Sequence, residues 1–129
     1  MQRIYSFLFW VLLSGIGISS QAQSYTKTDL GIKTQINAMD VEIQFYGPSI
    51  VRIVKSPESK PFTKNSLSVV KKPQNVKFSV ARQGDVISVK SDKLKVTLDT
   101  KSGKISYSTL AGVPLLSEKE SGTTFTDFD

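Results

Sequence analysis

The sequence contains neither cysteine nor histidine. Without cysteine, the chain has no disulfide scaffold, no thiol nucleophile and no lipid-modified N-terminal cysteine. Without histidine, it has no His-based catalytic triad and lacks the ligand that most zinc sites use. The single tryptophan, Trp10, lies close to the N-terminus. The chemistry open to this chain is therefore mainly that of carboxylates, hydroxyls and lysines.

Residues 1–22 have the three-part pattern of a secretory signal peptide. Arg3 provides the basic start, residues 4–18 are largely apolar, and Ser20 and Ala22 are the small residues that a signal peptidase reads. A membrane anchor is the alternative, but an apolar run of about 15 residues is shorter than the roughly 20 that cross a bilayer. We therefore predict cleavage before Gln23 and export to the periplasm, the cell surface or the medium. No membrane span is expected after cleavage.

Removing 22 of the 129 residues leaves 129 − 22 = 107, and only Arg3 among the charged residues is lost with them. The formal net charge then falls from +6 to +5. A length of 107 residues is enough for one domain with a modest core, which we place at 23–129. It leaves no space for an additional α/β barrel, which takes about 200 residues or more.

From Ile32 onward, apolar and polar residues alternate with period two, and the pattern breaks every eight to twelve residues. Such alternation predicts antiparallel strands with one buried face, stacked as a sandwich or barrel. The predicted strands cover 41–45, 50–55, 76–80, 86–90, 94–98 and 105–107. The second of these is apolar on both faces, which favours a central position. We expect a flexible lead up to Lys27 and a surface loop over 56–65, with Phe62 turned inward.

Three pairs of carboxylates were considered as catalytic candidates, because two such groups suffice to hydrolyse a glycosidic bond. The pairs are Asp92 with Asp99, Glu118 with Glu120, and Asp127 with Asp129. Asp92 lies in a predicted turn, Asp99 faces outward, and Glu118 and Glu120 belong to a solvated edge. Surface roles are favoured for all of them. No catalytic, metal-binding or cofactor-binding residue is assigned, no cofactor is expected, and the substrate-binding residues stay unassigned.

The basic excess does not predict a nucleic-acid surface. Such a surface interleaves cations with aromatic side chains for stacking, whereas Phe78, next to Lys77, falls on the predicted inner face of its strand. The core is likewise expected to take Phe45 and Tyr107. Tyr46 is expected to face outward, and Phe125 and Phe128 lie in a polar tail. These last three aromatic residues leave open a sugar-binding surface.

Three segments resemble the N-terminal domain of glycoside hydrolase family 31. Residues 94–108 are similar to a recurrent hairpin of that family, in which a strand ending in an acidic residue turns through glycine into the next strand. Residues 111–118 are similar to the Gly-Pro-Leu-Leu stretch that follows it, and 41–45 with 50–53 to the opening strands. The resemblance spans residues 29–129. It implies a galactose mutarotase-like β-sandwich that precedes a catalytic (β/α)8 barrel.

The resemblance implies an enzyme in which two aspartates of the barrel hydrolyse α-glucosidic or α-xylosidic bonds with retention. No position of this chain matches those aspartates. The chain is thus expected to be a non-catalytic, incomplete sandwich, truncated before the barrel. Its carbohydrate partner would be an α-glucoside or α-xyloside, reached through the parent enzyme. The sandwich would support the barrel and contribute to carbohydrate binding. The alternative is a free-standing exported β-sandwich that binds a glycan or a protein.

Overall fold

The computed structural model describes residues 25–58, 60, 62, 67–68 and 70–126. Every regular element within this part of the chain is a β-strand, so the expected all-β class is confirmed. The predicted signal peptide at 1–22 lies outside the described residues, as do Asp127, Phe128 and Asp129. Among the residues described, no helix is long and apolar enough to cross a bilayer.

Within the described ranges, nine strands form two antiparallel sheets, each of which follows the order of the chain. The first sheet contains β1 (Tyr25–Lys27), β2 (Gly31–Ile36), β3 (Met39–Gly47) and β4 (Ile50–Pro57). The second contains β5 (Ser79–Gln83), β6 (Val86–Lys90), β7 (Lys95–Asp99), β8 (Ile105–Ser108) and β9 (Pro114–Ser117). Residues 58–78 connect the two sheets. The arrangement confirms the predicted antiparallel sandwich.

One hydrophobic core lies between the sheets, because the apolar side chains of both alternate toward the same interior. Each sheet contributes fully buried side chains, among them Val41, Ile43 and Phe45 from the first and Ile87 and Leu98 from the second. Phe45 also stacks on the ring of Phe78, with the ring centroids 6.0 Å apart. Alternation in the sequence therefore identified the buried face of each sheet.

Five local expectations were wrong. The strand predicted at 76–80 begins only at Ser79 and ends at Gln83. The segment expected to be a flexible lead contains β1, which pairs with β2 from Tyr25 to Lys27. Strand β4 is the last strand of its sheet rather than a central one. Tyr46 is only 9% exposed instead of facing outward, since the register of β3 and β4 shifts at this residue. Its hydroxyl accepts a hydrogen bond from Arg52 Nη1. Phe62 is 51% exposed and lies against the Arg52 guanidinium instead of entering the core.

The turn between β7 and β8 is held by one carboxylate. Asp99 Oδ1 accepts hydrogen bonds from the backbone N–H groups of Ser102 and Lys101, both at 2.8 Å. These two bonds favour the ionised form and lower the pKa of Asp99 below its ordinary value of 3.8. The carboxylate thereby connects the end of β7 to the loop that leads into β8.

We expect this turn to make stability sensitive to acid. A folded-state pKa below 3.8 means that the Asp99 contribution is fully present above that pH and is lost as the pH falls through the lowered value. Asp99→Asn should reduce the loss of folding stability on acidification. The measurement is the free energy of unfolding in urea, compared at neutral pH and at pH values below 3.8. Asp92→Asn is the control, because Asp92 is exposed and its side chain has no hydrogen bond among the described residues. Equal acid sensitivity in the wild type and Asp99→Asn would contradict the prediction.

Candidate functional site

A lysine lies on the inner face of the sandwich. In β4 the inward positions are Val51, Ile53 and Lys55, and Lys55 is paired across the strands with the fully buried Val41. The Lys55 side chain is only 6% exposed. A buried ammonium is costly unless it is paired and hydrogen-bonded.

All three donors of Lys55 Nζ find acceptors on the second sheet or on the chain that follows it. Nζ donates to Glu118 Oε2 at 2.6 Å, to the Gly103 carbonyl at 2.8 Å and to Thr123 Oγ1 at 3.2 Å. Glu118 Oε2 also accepts from the Ile105 backbone N–H at 2.8 Å. The ion pair therefore joins β4 to the turn before β8 and to the segment after β9.

A cleft of about 370 Å³ opens beside this ion pair, where the ends of several elements converge. Its apolar wall consists of Ala38, Met39, Pro57 and Phe125. Polar side chains complete the lining, namely Asn37, Ser102, Ser121, Thr123 and Thr124. Hydroxyls and an amide surround the space, and none of the described residues that line it carries a charged side chain.

The two-residue turn between β2 and β3 forms one side of the cleft. Asn37 and Ala38 both adopt positive φ, as two-residue hairpins of the I′ type require. Alanine rarely adopts this conformation, and here contacts outside the hairpin maintain it. Glu58 N–H donates to the Ala38 carbonyl, and Asn37 Nδ2 donates to the Lys101 carbonyl at 2.7 Å. The turn is thus attached to both sheets.

The segment that follows β9 forms the other side of the cleft. A Cβ added to Gly122, whose φ is +65°, would lie 2.5 Å from the Ser102 carbonyl oxygen. Only glycine allows the backbone to approach the β7–β8 turn this closely. This close contact and the bond from Lys55 to Thr123 place Thr124 and Phe125 at the cleft.

The four described carboxylate candidates share no partner, and Asp127 and Asp129 lie outside the described residues. Asp99 is the last residue of β7, and Asp92 lies before its first residue, Lys95. The strand between them spans about 13 Å at a rise of about 3.3 Å per residue. Carboxyl pairs in glycosidases are at most about 9.5 Å apart. Glu118 pairs with Lys55 and Glu120 with Lys104.

Glu118 is therefore more than part of a solvated edge, since it is 31% exposed and neutralises a buried cation. It also raises the pKa of the neighbouring Tyr107 phenol, an effect secondary to burial of that side chain. Glu120, by contrast, is 93% exposed, as expected of a surface residue. No group of three or more acidic side chains that could hold a metal ion occurs within the described ranges.

Neither the ion pair nor the cleft was predicted from the sequence. One signal for Lys55 was available, because a lysine occupies an inward position in the alternation of β4, where apolar residues are the rule. The cleft carries no comparable signal, since its lining comes from four separate segments and consists of common surface residues. Phe125, considered as a sugar platform, does line the cleft, whereas Tyr46 does not.

We expect the Lys55–Glu118 pair to matter for stability far more than the neighbouring Lys104–Glu120 pair. Glu118→Gln leaves the Lys55 ammonium buried without its counter-charge, at a cost of about 2–3 kcal/mol; full burial of both partners would raise this toward about 5 kcal/mol. Glu120→Gln, two residues away, is the matched control and should leave stability nearly unchanged. Urea unfolding followed by far-UV circular dichroism measures both. Equal losses for the two variants would refute this role of Lys55.

Comparisons with known proteins agree with this fold. The family model for the glycosyl hydrolase 31 N-terminal galactose mutarotase-like domain matches residues 40–128. Among solved structures, the chain is similar to the family 31 α-xylosidase from Xanthomonas citri, with 28% sequence identity and a TM-score of 0.67. The similarity covers 78% of this chain and 11% of the α-xylosidase.

The family match includes the strands and the hairpin on which the sequence resemblance was based. Residues 41–45, 50–53, 94–108 and 111–118 all lie within the matched range. That range includes most of both sheets and the segment that completes the cleft. The chain belongs to the N-terminal galactose mutarotase-like domains of glycoside hydrolase family 31.

Proposed function

We propose that this chain is the non-catalytic N-terminal β-sandwich of an exported family 31 α-glycosidase, of the α-glucosidase or α-xylosidase type. The observation that carries the proposal is the family match over residues 40–128 together with the similarity to an α-xylosidase. The chain spans only 11% of the length of that enzyme. Hydrolysis itself is thus assigned to a catalytic barrel and not to this chain.

The charge arrangement supports a non-catalytic role. Retaining hydrolysis of a glycoside needs two carboxyl groups about 5–5.5 Å apart, one of them free to act as a nucleophile. Glu118 is occupied by Lys55 and the Ile105 N–H, and Asp99 by the backbone of its own turn. These carboxylates stabilise the fold and are not positioned as a catalytic pair.

The apolar surface around β9 supports a role in docking the rest of the enzyme. Leu115 and Leu116 of β9 are 58% and 66% exposed, and Leu110 and Val113 of the preceding turn are 52% and 56% exposed. Strand β9 also ends the second sheet within the described residues. Exposed apolar side chains concentrated near one sheet edge are typical of interaction surfaces, and an edge strand offers unpaired backbone groups. We assign this surface to contact with the catalytic part of the enzyme.

Export is the part of the proposal that rests on the sequence alone. Cleavage of residues 1–22 would leave a mature domain that begins at Gln23, two residues before β1. We expect the intact mass of the exported protein to match a chain that starts at Gln23. Ala22→Leu, which removes a small residue read by the peptidase, should block processing. An exported chain that retains Met1 would contradict this prediction.

The enzymatic part of the proposal is tested by the gene and by activity together. The DNA beyond the Asp129 codon is expected to encode a (β/α)8 barrel with two catalytic aspartates, in frame or after a frameshift. The purified 129-residue product should show no turnover of aryl α-xylosides or α-glucosides above a mock preparation, because the two catalytic aspartates of the proposed enzyme belong to the barrel.

Two results would overturn this assignment. Hydrolysis by the purified chain would show that it is catalytic. A stop codon followed by an unrelated gene would favour a free-standing exported binding module, which is the second candidate function. The cleft of about 370 Å³ beside the Lys55–Glu118 pair is the observation that favours that second candidate.

A further inference from the structure

The cleft has the size of a small-ligand site. Its volume of about 370 Å³ lies near the lower end of the range of about 300–1,000 Å³ in which such sites fall. Its two sides come from different sheets. The Asn37–Ala38 turn and Pro57 belong to the first, and Ser102 and the residues after Gly122 to the second or its continuation. A ligand in this concave space could therefore contact side chains from both sheets.

The lining selects a neutral ligand. Among the described residues no charged side chain lines the cleft, and the nearby Lys55 ammonium donates to Glu118, Gly103 and Thr123, so Lys55 is not available to an anionic ligand. Two hydroxyls remain available: those of Ser121 and Thr124 have no hydrogen-bond partner among the residues described. A hydroxyl both donates and accepts, which suits a ligand that itself carries hydroxyl groups.

The apolar wall adds a second requirement. Phe125 is 49% exposed at the cleft, and Met39 and Pro57 continue the apolar surface. The face of an aromatic ring carries a partial negative charge and attracts the slightly positive C–H groups of a flat ligand. A pyranose has this combination, with hydroxyls around its rim and C–H groups on one face.

We propose that the cleft binds one neutral pyranose unit of a saccharide, with Phe125 against the sugar face and Thr124 and Ser121 hydrogen-bonded to its hydroxyls. The inference rests on the proposed function only for the choice of sugar, since the similar enzyme is an α-xylosidase.

Ligand-observed NMR titration of the purified chain tests the site, with methyl α-D-xylopyranoside and methyl α-D-glucopyranoside as probes. We expect saturable binding in the millimolar range. Phe125→Ala should weaken it about five- to tenfold, the size expected for the loss of one aromatic contact. Thr124→Val, which replaces a hydroxyl by a methyl group of similar volume, should also weaken it. Inorganic phosphate should not compete, because the described lining contains no cationic side chain.

Phe62→Ala is the matched control. Phe62 is 51% exposed, close to the value for Phe125, but it lies against Arg52 and does not line the cleft. Binding of both sugars should be unchanged in this variant. Circular dichroism of each variant shows that the fold is retained.

Three results would overturn the proposal: no binding by the wild-type chain, equal binding by Phe125→Ala, or equal weakening by Phe62→Ala. The outcome is independent of the test of the enzyme. If sugar binding depends on Phe125 but the gene encodes no barrel, the sugar site stands and the proposed glycosidase function is refuted. If the gene encodes a barrel but the chain binds no sugar, the glycosidase function stands and the sugar site is refuted.

Discussion

The buried ion pair between Lys55 and Glu118 is the contact on which the end of the sandwich depends. Lys55 occupies an inner position that an apolar residue would normally fill, and it is stable there because three acceptors meet its ammonium group. Each acceptor comes from a segment that hydrogen bonding within the sheets does not attach to β4. Unlike apolar contacts, which are non-directional, these bonds fix the relative position of the sheets at this end.

Local sequence pattern predicted six of the nine strands found among the described residues, together with their buried faces, and it did not delimit β1, β2 or β9. Val41, Ile43 and Phe45 alternate with polar residues because one face of β3 is in the core, and Ile87 and Leu98 repeat the pattern in the second sheet. Strand order was less accessible: β4 is apolar on both faces and yet lies last in its sheet. The alternation of apolar and polar residues indicates which face of a strand is buried, but it does not indicate which strand pairs with it.

The cleft could not have been predicted by the same reasoning. Its hydroxyls come from positions as far apart as Ser102 and Thr124, and each would be read as an ordinary loop residue. What brings them together is the close approach that Gly122 permits and the reach of Lys55 across the core. These are long-range contacts, and a single sequence carries information mainly on local ones. The resemblance to the family was detectable from the sequence alone, because a hairpin is a local pattern.

Both sheets are meanders, in which each strand pairs with the strand that precedes it in the chain. Most backbone pairing therefore closes short loops, for which the loss of chain entropy is small. Each described strand pairs only with strands of its own sheet, so backbone pairing in one sheet does not require the other sheet. The slow step would then be the meeting of the two meanders, connected only through residues 58–78. Variation in that connection would change how quickly the sandwich assembles and leave its strand pairing intact.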